Sequence, residues 1–441
     1  MIQRTIQKTL SEWKDNAARK PLLVRGARQT GKTFIIEDFA RSFYNSVTIN
    51  FERNPEFKNI FNVNDPNQII EQIGLLTKKR IIPGRSLLFL DEIQECPQAI
   101  VSLRYFYEEL PELHIIGAGS LLEFTLSAEN LNIPVGRIQY LYMYPLSFAE
   151  FLHASGFFQL RSHILRTGNL QNISQSVHDK LIEQLRLYYI LGGMPEVVDA
   201  YLKNRDLNQC QMIQRSIVDT YRDDFAKYAS QVKFKHLRKI FSSVPAGVGN
   251  KFVYSKVDPD TKSRELKEAL LLLETAGILY RVRKSGGAGI PLESHANDRY
   301  FKVIFLDIGL MHAINGIRDE LVLGENLTDI YKGALAEQFV GQELMAYASP
   351  HYKDGLYYWA REEKNSHAEI DYLIQRNGRI IPVEVKSGPT GRMKSMKLYR
   401  DAYHPDLAVK ISQAMYNDKQ DILELPLYAI EYLMKPEASG R

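Results

Sequence analysis

Cysteine is almost missing from this chain. Its 441 residues include two, Cys96 and Cys210, far apart in sequence. That excludes a disulfide scaffold and a cysteine-built zinc site, and it suits a reducing cytoplasm. Long apolar runs are missing too. The longest fall far below the roughly 18 residues needed to span a bilayer, and Met1 to Trp13 is polar and periodic, with no apolar signal core. Charge of one sign is scarce: 56 Lys and Arg stand against 52 Asp and Glu, a formal net charge of +4. The chain as a whole therefore does not call for a polyanionic partner. What remains is an ordinary balance, 45% apolar and 24% charged, enough for a sizeable core. The length implies two or three domains, and the expectation is a cytoplasmic protein without a membrane.

Against that background one segment stands out. Pro21 to Arg25 reads as a short buried strand, Gly26-Ala27-Arg28-Gln29-Thr30-Gly31-Lys32-Thr33 follows, and a helical run extends from Phe34 to about Phe43. This is G-x-x-x-x-G-K-T in a strand–loop–helix context. A phosphate chain needs backbone N–H groups pointing inward, and glycines let a loop curl that tightly. The helix N-terminus adds partial positive charge. Lys32 is placed to reach the β- and γ-phosphates of ATP, and the Thr33 hydroxyl to ligate Mg²⁺. Gly26 through Thr33 form the expected nucleotide cradle.

Three further groups complete the expected engine. Ser86 to Leu90 is an apolar run ending in Asp91 and Glu92, the pattern of a fully buried parallel strand. Asp91 at its end can support Mg²⁺, and Glu92 can polarise the attacking water. His114 to Ser120 is a third strand that ends in small and polar residues. Ligands bind at that edge of an open parallel sheet, so Ser120 is either a γ-phosphate sensor or a simple helix cap. Arg137 and Arg104 are candidate transition-state cations. At these residues the chain resembles the AAA-type P-loop ATPases of the archaeal-ATPase-like bacterial group. The resemblance rests on G-A-R-Q-T-G-K-T, on Leu90 to Gln94 (L-D-E-I-Q), and on Gly136-Arg137 with the later Pro145 to Phe148. It implies an ATPase domain over residues 1–150 and, by analogy, a homo-oligomer.

Residues 151–226 read as a helical bridge or lid, broken at Gly192-Gly193-Met194-Pro195. Over 227–317, a helix from Phe234 to Val244, a turn beginning at Tyr254, a helix from Ser263 to Ala276 and a hairpin with strands at 278–284 and 300–305 read as a winged helix. From Lys227 to Lys284 there are 13 Lys and Arg and 5 Asp and Glu. Such a local basic excess fits DNA or RNA, or else a soluble lid surface.

The last region, 331–441, opens with a helix from Tyr331 to about Ala348 that carries Glu337. Strands at 369–374 and 380–386 flank an Asn377-Gly378 turn. Asp371 starts the first of these strands, and Glu384 and Lys386 share one side of the second. Two carboxylates can hold a hard cation, while a lysine orients water or neutralises developing charge. The arrangement resembles the PD-(D/E)XK nuclease superfamily, with Asp371, Glu384 and Lys386 on the motif and Glu337 as the helix acid. The resemblance implies a restriction-endonuclease-like α/β fold and a second Mg²⁺ or Mn²⁺ at Glu337, Asp371 and Glu384. Arg392, Lys394, Lys397 and Arg400 on the next helix could touch a phosphate backbone or simply face solvent. The whole reads as an α/β protein with a P-loop parallel sheet, a helical and winged-helix middle and a nuclease-like end. Its expected function is an ATPase coupled to a nucleic-acid-directed module. The alternative is a nucleotide-controlled switch whose C-terminal domain binds a partner without cleaving.

Overall fold

Alternation along the first strands decides which helices cover them. In the computed structural model β1 (Leu22–Arg25), β2 (Asn45–Asn50), β3 (Ser86–Asp91), β4 (His114–Ala118) and β5 (Gln139–Tyr142) form a parallel sheet of order β2-β3-β4-β1-β5. Successive side chains of a strand point to opposite faces. Leu23, Leu88, Leu90 and Ile115 therefore pack on one side against Ile69, Ile100, Leu103 and Phe106 of the helices Pro66–Thr77 and Pro97–Glu109. Leu22, Val24, Phe89 and Ile116 pack on the other, against Leu10, Trp13, Ile36 and Phe39 of the helices Ile6–Asp15 and Lys32–Ala40. The structure describes residues 2–119, 122, 136–166, 170–228, 231–316, 329–363, 366–389, 391, 393–419 and 422–434. Ser120, Arg392 and residues 317–328 lie outside them. Among the described residues no helix is long and apolar enough to cross a membrane.

Beyond the sheet the chain turns helical. Ser147 and Glu150 form a reciprocal capping box at the start of the helix Phe148–Ala154, which satisfies two backbone donors that a helix start leaves open. The helices Gln175–Leu191, Pro195–Asn204, Leu207–Tyr228 and Gln231–Gly247 follow. Tyr254, expected to open a turn, instead begins a single helical turn, Tyr254–Val257, before the helix Ser263–Thr275.

The hairpin that follows has a partner that local alternation could not reveal. β6 (Leu279–Ser285) and β7 (Ala296–Phe305) pair antiparallel. β6 also pairs in parallel with β8 (Leu356–Glu363), Val282 opposite Leu356. The hairpin is thus one end of an eight-stranded sheet that continues through β9 (Ser366–Arg376), β10 (Arg379–Val385), β11 (Ala408–Ser412), β12 (Asn417–Lys419) and β13 (Ile422–Pro426) in the order β12-β13-β11-β10-β9-β8-β6-β7. Between β9 and β10, Asn377 and Gly378 both take positive φ, 49° and 73°, as a tight hairpin turn of this kind requires. β9 begins at Ser366, so Asp371 sits in mid-strand rather than at a strand start.

The helix Asp329–Tyr347 joins this sheet to the first domain through one buried acid. Both Glu343 carboxylate oxygens accept from the Phe148 backbone N–H, at 3.0 and 3.1 Å. Burial pushes the Glu343 carboxyl from its ordinary 4.5 up to about 8. The folded protein therefore holds this proton more tightly than the unfolded chain does, and the resulting stabilisation is lost as pH rises through about 8. Thermal melts from pH 6 to 9 should show wild type losing more stability than Glu343→Gln, and equal loss in both would remove Glu343 from this role.

Candidate nucleotide site and the C-terminal carboxylate cluster

The P-loop is shaped by backbone that side chains would obstruct. Gly26 has φ of 151°, and a Cβ there would lie 2.2 Å from the Met143 carbonyl oxygen. Gly31, φ 91°, caps the helix Lys32–Ala40. Lys32 is buried, and its ammonium donates to the carbonyls of Gly26 and Ala27 at 2.9 and 2.8 Å. The Thr33 hydroxyl donates to both Asp91 oxygens, at 3.1 and 3.3 Å, and Asn50 Nδ2 donates to Asp91 Oδ2 at 2.8 Å. Burial pushes the Asp91 carboxyl up, while the bonds from Asn50 and Thr33 pull it back. A hydroxyl beside a carboxylate is an oxygen donor set that fits a hard divalent cation.

Glu92 follows in the left-handed region, φ 49°, and its Oε2 accepts from Gln94 Nε2 at 2.5 Å. Gln94 in turn crowds Gly119, where a Cβ would come within 2.2 Å of its Oε1. These groups open onto a cavity of about 580 Å³ lined by Gly31, Lys32, Thr33, Asp91, Glu92 and, from the helix Pro195–Asn204, Pro195. That opening is wide enough for a nucleotide. Arg137 does not line it. Its guanidinium pairs with Glu108 at 2.9 Å, as Arg104 does at 3.2 Å.

Three contacts of the loop were not legible in the motif. Arg28 NH1 bonds both oxygens of Asp224, at 2.8 and 3.0 Å, and the Tyr221 hydroxyl donates to the Arg28 carbonyl at 2.7 Å. Arg4 spans Glu150, at 3.0 Å, and the Thr30 carbonyl, at 3.2 Å. Asp224 lies some two hundred residues downstream, beyond the reach of local pattern.

Beside the C-terminal sheet, Glu337 of the helix Asp329–Tyr347 comes near Asp371, Glu384 and Lys386, together with Lys302 and Glu369, which no motif singles out. The Lys302 ammonium lies 3.0 Å from Glu337 Oε2, 3.7 Å from Asp371 Oδ1, and in a short contact with Glu369. Asp371 Oδ2 accepts from the Val385 N–H at 2.7 Å, and Lys386 pairs with Glu384 Oε1 at 2.7 Å. Burial, then the neighbouring Asp371, push Glu337 up to about 8 against Lys302. Burial opposes the Lys302 charge, yet the three carboxylates hold its proton well above the ordinary lysine range. Burial also raises Glu384, against Lys386. Among the described residues no group of three or more His, Cys, Asp or Glu side chains is disposed to hold a metal ion. The signal for Lys302 was a charge inside the apolar run Tyr300 to Phe305, where five consecutive residues from Phe301 are buried.

Residues 18–152 match the family model "AAA domain". Residues 182–321 and 332–429 match "Domain of unknown function (DUF8612)" and "Domain of unknown function (DUF4143)". No curated protein matches the chain. Among solved structures it is similar to the Walker-type ATPase PABY2304 of Pyrococcus abyssi, at 14% identity and TM-score 0.44 over 71% of this chain and 96% of that one. It is also similar to the Aeropyrum pernix ORC2 protein in its ADPNP–ADP complexes, at 13% identity and TM-score 0.39 over 71% and 94%. The N-terminal domain is an AAA-type P-loop ATPase domain, and the protein binds and hydrolyses ATP.

The crowding at Gly26 can be checked directly. Gly26→Ala should weaken binding of a fluorescent ATP analogue by roughly tenfold or more, because the loop must shift to clear Met143. Unchanged affinity would show that the loop's curl does not depend on this glycine.

Proposed function

We propose that this ATPase passes its nucleotide state to the C-terminal sheet, and that this module is directed at nucleic acid. The observation that carries the coupling is the Arg28–Asp224 pair. It ties the phosphate loop itself to the helix Leu207–Tyr228, which packs on the helix Ile308–Asn315 just after β7. A triphosphate arriving at the loop offers Arg28 a competing anion, so the pair is placed to report occupancy. A second route starts at Pro195 in the cavity wall. Two residues before it, the Gly193 N–H donates to Asp307 Oδ2 at 2.6 Å, and Asp307 caps the helix Ile308–Asn315.

At the loop, Lys32 exchanges its carbonyl partners for phosphate oxygens. Thr33 and Asp91 would hold Mg²⁺, which neutralises charge on the phosphate oxygens. Glu92, fixed by Gln94, orients the attacking water and accepts its proton. The nucleic-acid reading draws on the basic excess of the middle region. Lys233, Lys235 and Arg238 are exposed on one helix, and Lys262, Arg264 and Lys267 are exposed at and within another. Exposed basic side chains on adjacent helices suit a phosphate backbone. A second reading, a switch that engages its partner without cutting it, is favoured by Lys302 seated among the carboxylates of the nuclease-like cluster.

Three measurements test this. Lys32→Ala and Glu92→Gln should each lower ATP turnover by roughly 10²-fold or more, and turnover independent of both would sink the proposal. Asp224→Ala should retain hydrolysis but lose the ATP-dependent change in hydrogen exchange across β6 and β7; an unaltered exchange response would break the proposed coupling. DNA affinity that does not fall with added salt would argue against a phosphate-backbone surface.

A further inference from the structure

We propose that Lys302 stands in for the divalent cation of the nuclease-like cluster, so that the C-terminal domain of this protein excludes metal there and works without metal-dependent phosphodiester cleavage. The argument is geometric. A Mg²⁺ or Mn²⁺ ion would need several oxygens at about 2.0–2.2 Å with room for its waters. Here the Glu337 and Asp371 oxygens that would converge on such an ion face an ammonium at 3.0 and 3.7 Å, and Glu369 closes on the same ammonium. The other Asp371 oxygen accepts from the Val385 N–H, and Glu384 is paired with Lys386 through Oε1, which leaves the buried Glu384 Oε2 as a single oxygen without a partner among the described residues, too few for such an ion. The donor set does not fit a metal while Lys302 is in place.

Lys302 is also held in place. It is 3% exposed, and its Nζ lies 5.6 Å from the Tyr358 ring centroid. Its backbone belongs to β7, which pairs with Val282 of β6 on one side, and Lys251 bridges to it as well. Swinging the side chain out would leave the partly buried Glu337 and Asp371 facing each other without this counter-charge, which is costly; Glu369 is exposed. The ammonium comes from the hairpin and the acids come from the helix Asp329–Tyr347 and β9, so the group that fills the cation position also fastens the hairpin to the sheet. Such a cluster is a fixed structural joint rather than a reaction centre.

Mn²⁺ titration without nucleotide, followed by the EPR signal of the free ion and by thermal shift, tests the assignment independently of ATP turnover. Wild type and Asp371→Asn should be indistinguishable. Lys302→Met should bind Mn²⁺ roughly tenfold or more tightly than wild type and regain thermal stability on adding it, and a further Asp371→Asn should abolish the gain. If Lys302→Met does not fold, Lys302→Met with Glu369→Gln, which leaves less uncompensated charge, answers the same question. Mn²⁺ binding by wild type that Asp371→Asn removes would overturn the proposal, as would a folded Lys302→Met or double variant that gains no metal. The wild-type comparison decides by itself even where neither lysine variant folds.

Discussion

A charge taken out of water must take a partner with it, at a cost of several kcal/mol if it does not. The joints of this protein are built on that constraint. Arg4 meets Glu150 where the N-terminal helix crosses the start of the helical region, and burial that would raise Glu150 is outweighed by Arg4 and Thr5. Arg28 meets Asp224 between the phosphate loop and the helix Leu207–Tyr228. Lys302 meets Glu337, Glu369 and Asp371 between hairpin and C-terminal sheet. In each case the two signs come from segments far apart in the chain, so the ion pairs mark the places where separately formed elements must register.

Function and cohesion are therefore hard to separate here. The loop that cradles a triphosphate is anchored through Arg28 and through the Thr30 carbonyl. Whatever draws Arg28 toward phosphate works against its pair with Asp224. The proposed coupling needs no wire of special residues, only a shared partner with two places to be. One apolar core runs from Ala27 beside the loop, through the middle helices, to Val409 and Leu425 of the far sheet, and close-packed interiors transmit shifts rather than absorb them.

The legible parts of the sequence were those written locally. The strand, loop and helix from Leu22 to Ala40, the apolar strand ending at Asp91, and the Asn377-Gly378 turn each carry their signal in one short continuous stretch. The destination of the hairpin was not legible. β6 and β7 alternate as strands whether they project as a wing or extend a sheet, and the pairing of Val282 with Leu356 leaves no trace at either position. Asp224 is hidden for the same reason, since an acid on an amphipathic helix looks alike whatever it faces, whereas Lys302 stands out only as a charge within the apolar run Tyr300 to Phe305. Asp371, Glu384 and Lys386 were found from their spacing along two strands, yet spacing could not report that a second lysine lies among the acids.

The continuity of the hairpin with the C-terminal sheet bears on how this molecule can be dissected. A fragment cut between Gly316 and the helix Asp329–Tyr347 would lose β6 and β7 and leave β8 with an unsatisfied ladder along one side. A bare strand of that length recruits other chains. The natural unit for excision begins upstream of Leu279. The segment 182–321, which matches a family model of its own, thus contributes two strands to the sheet formed by the segment after it, and neither is whole without the other.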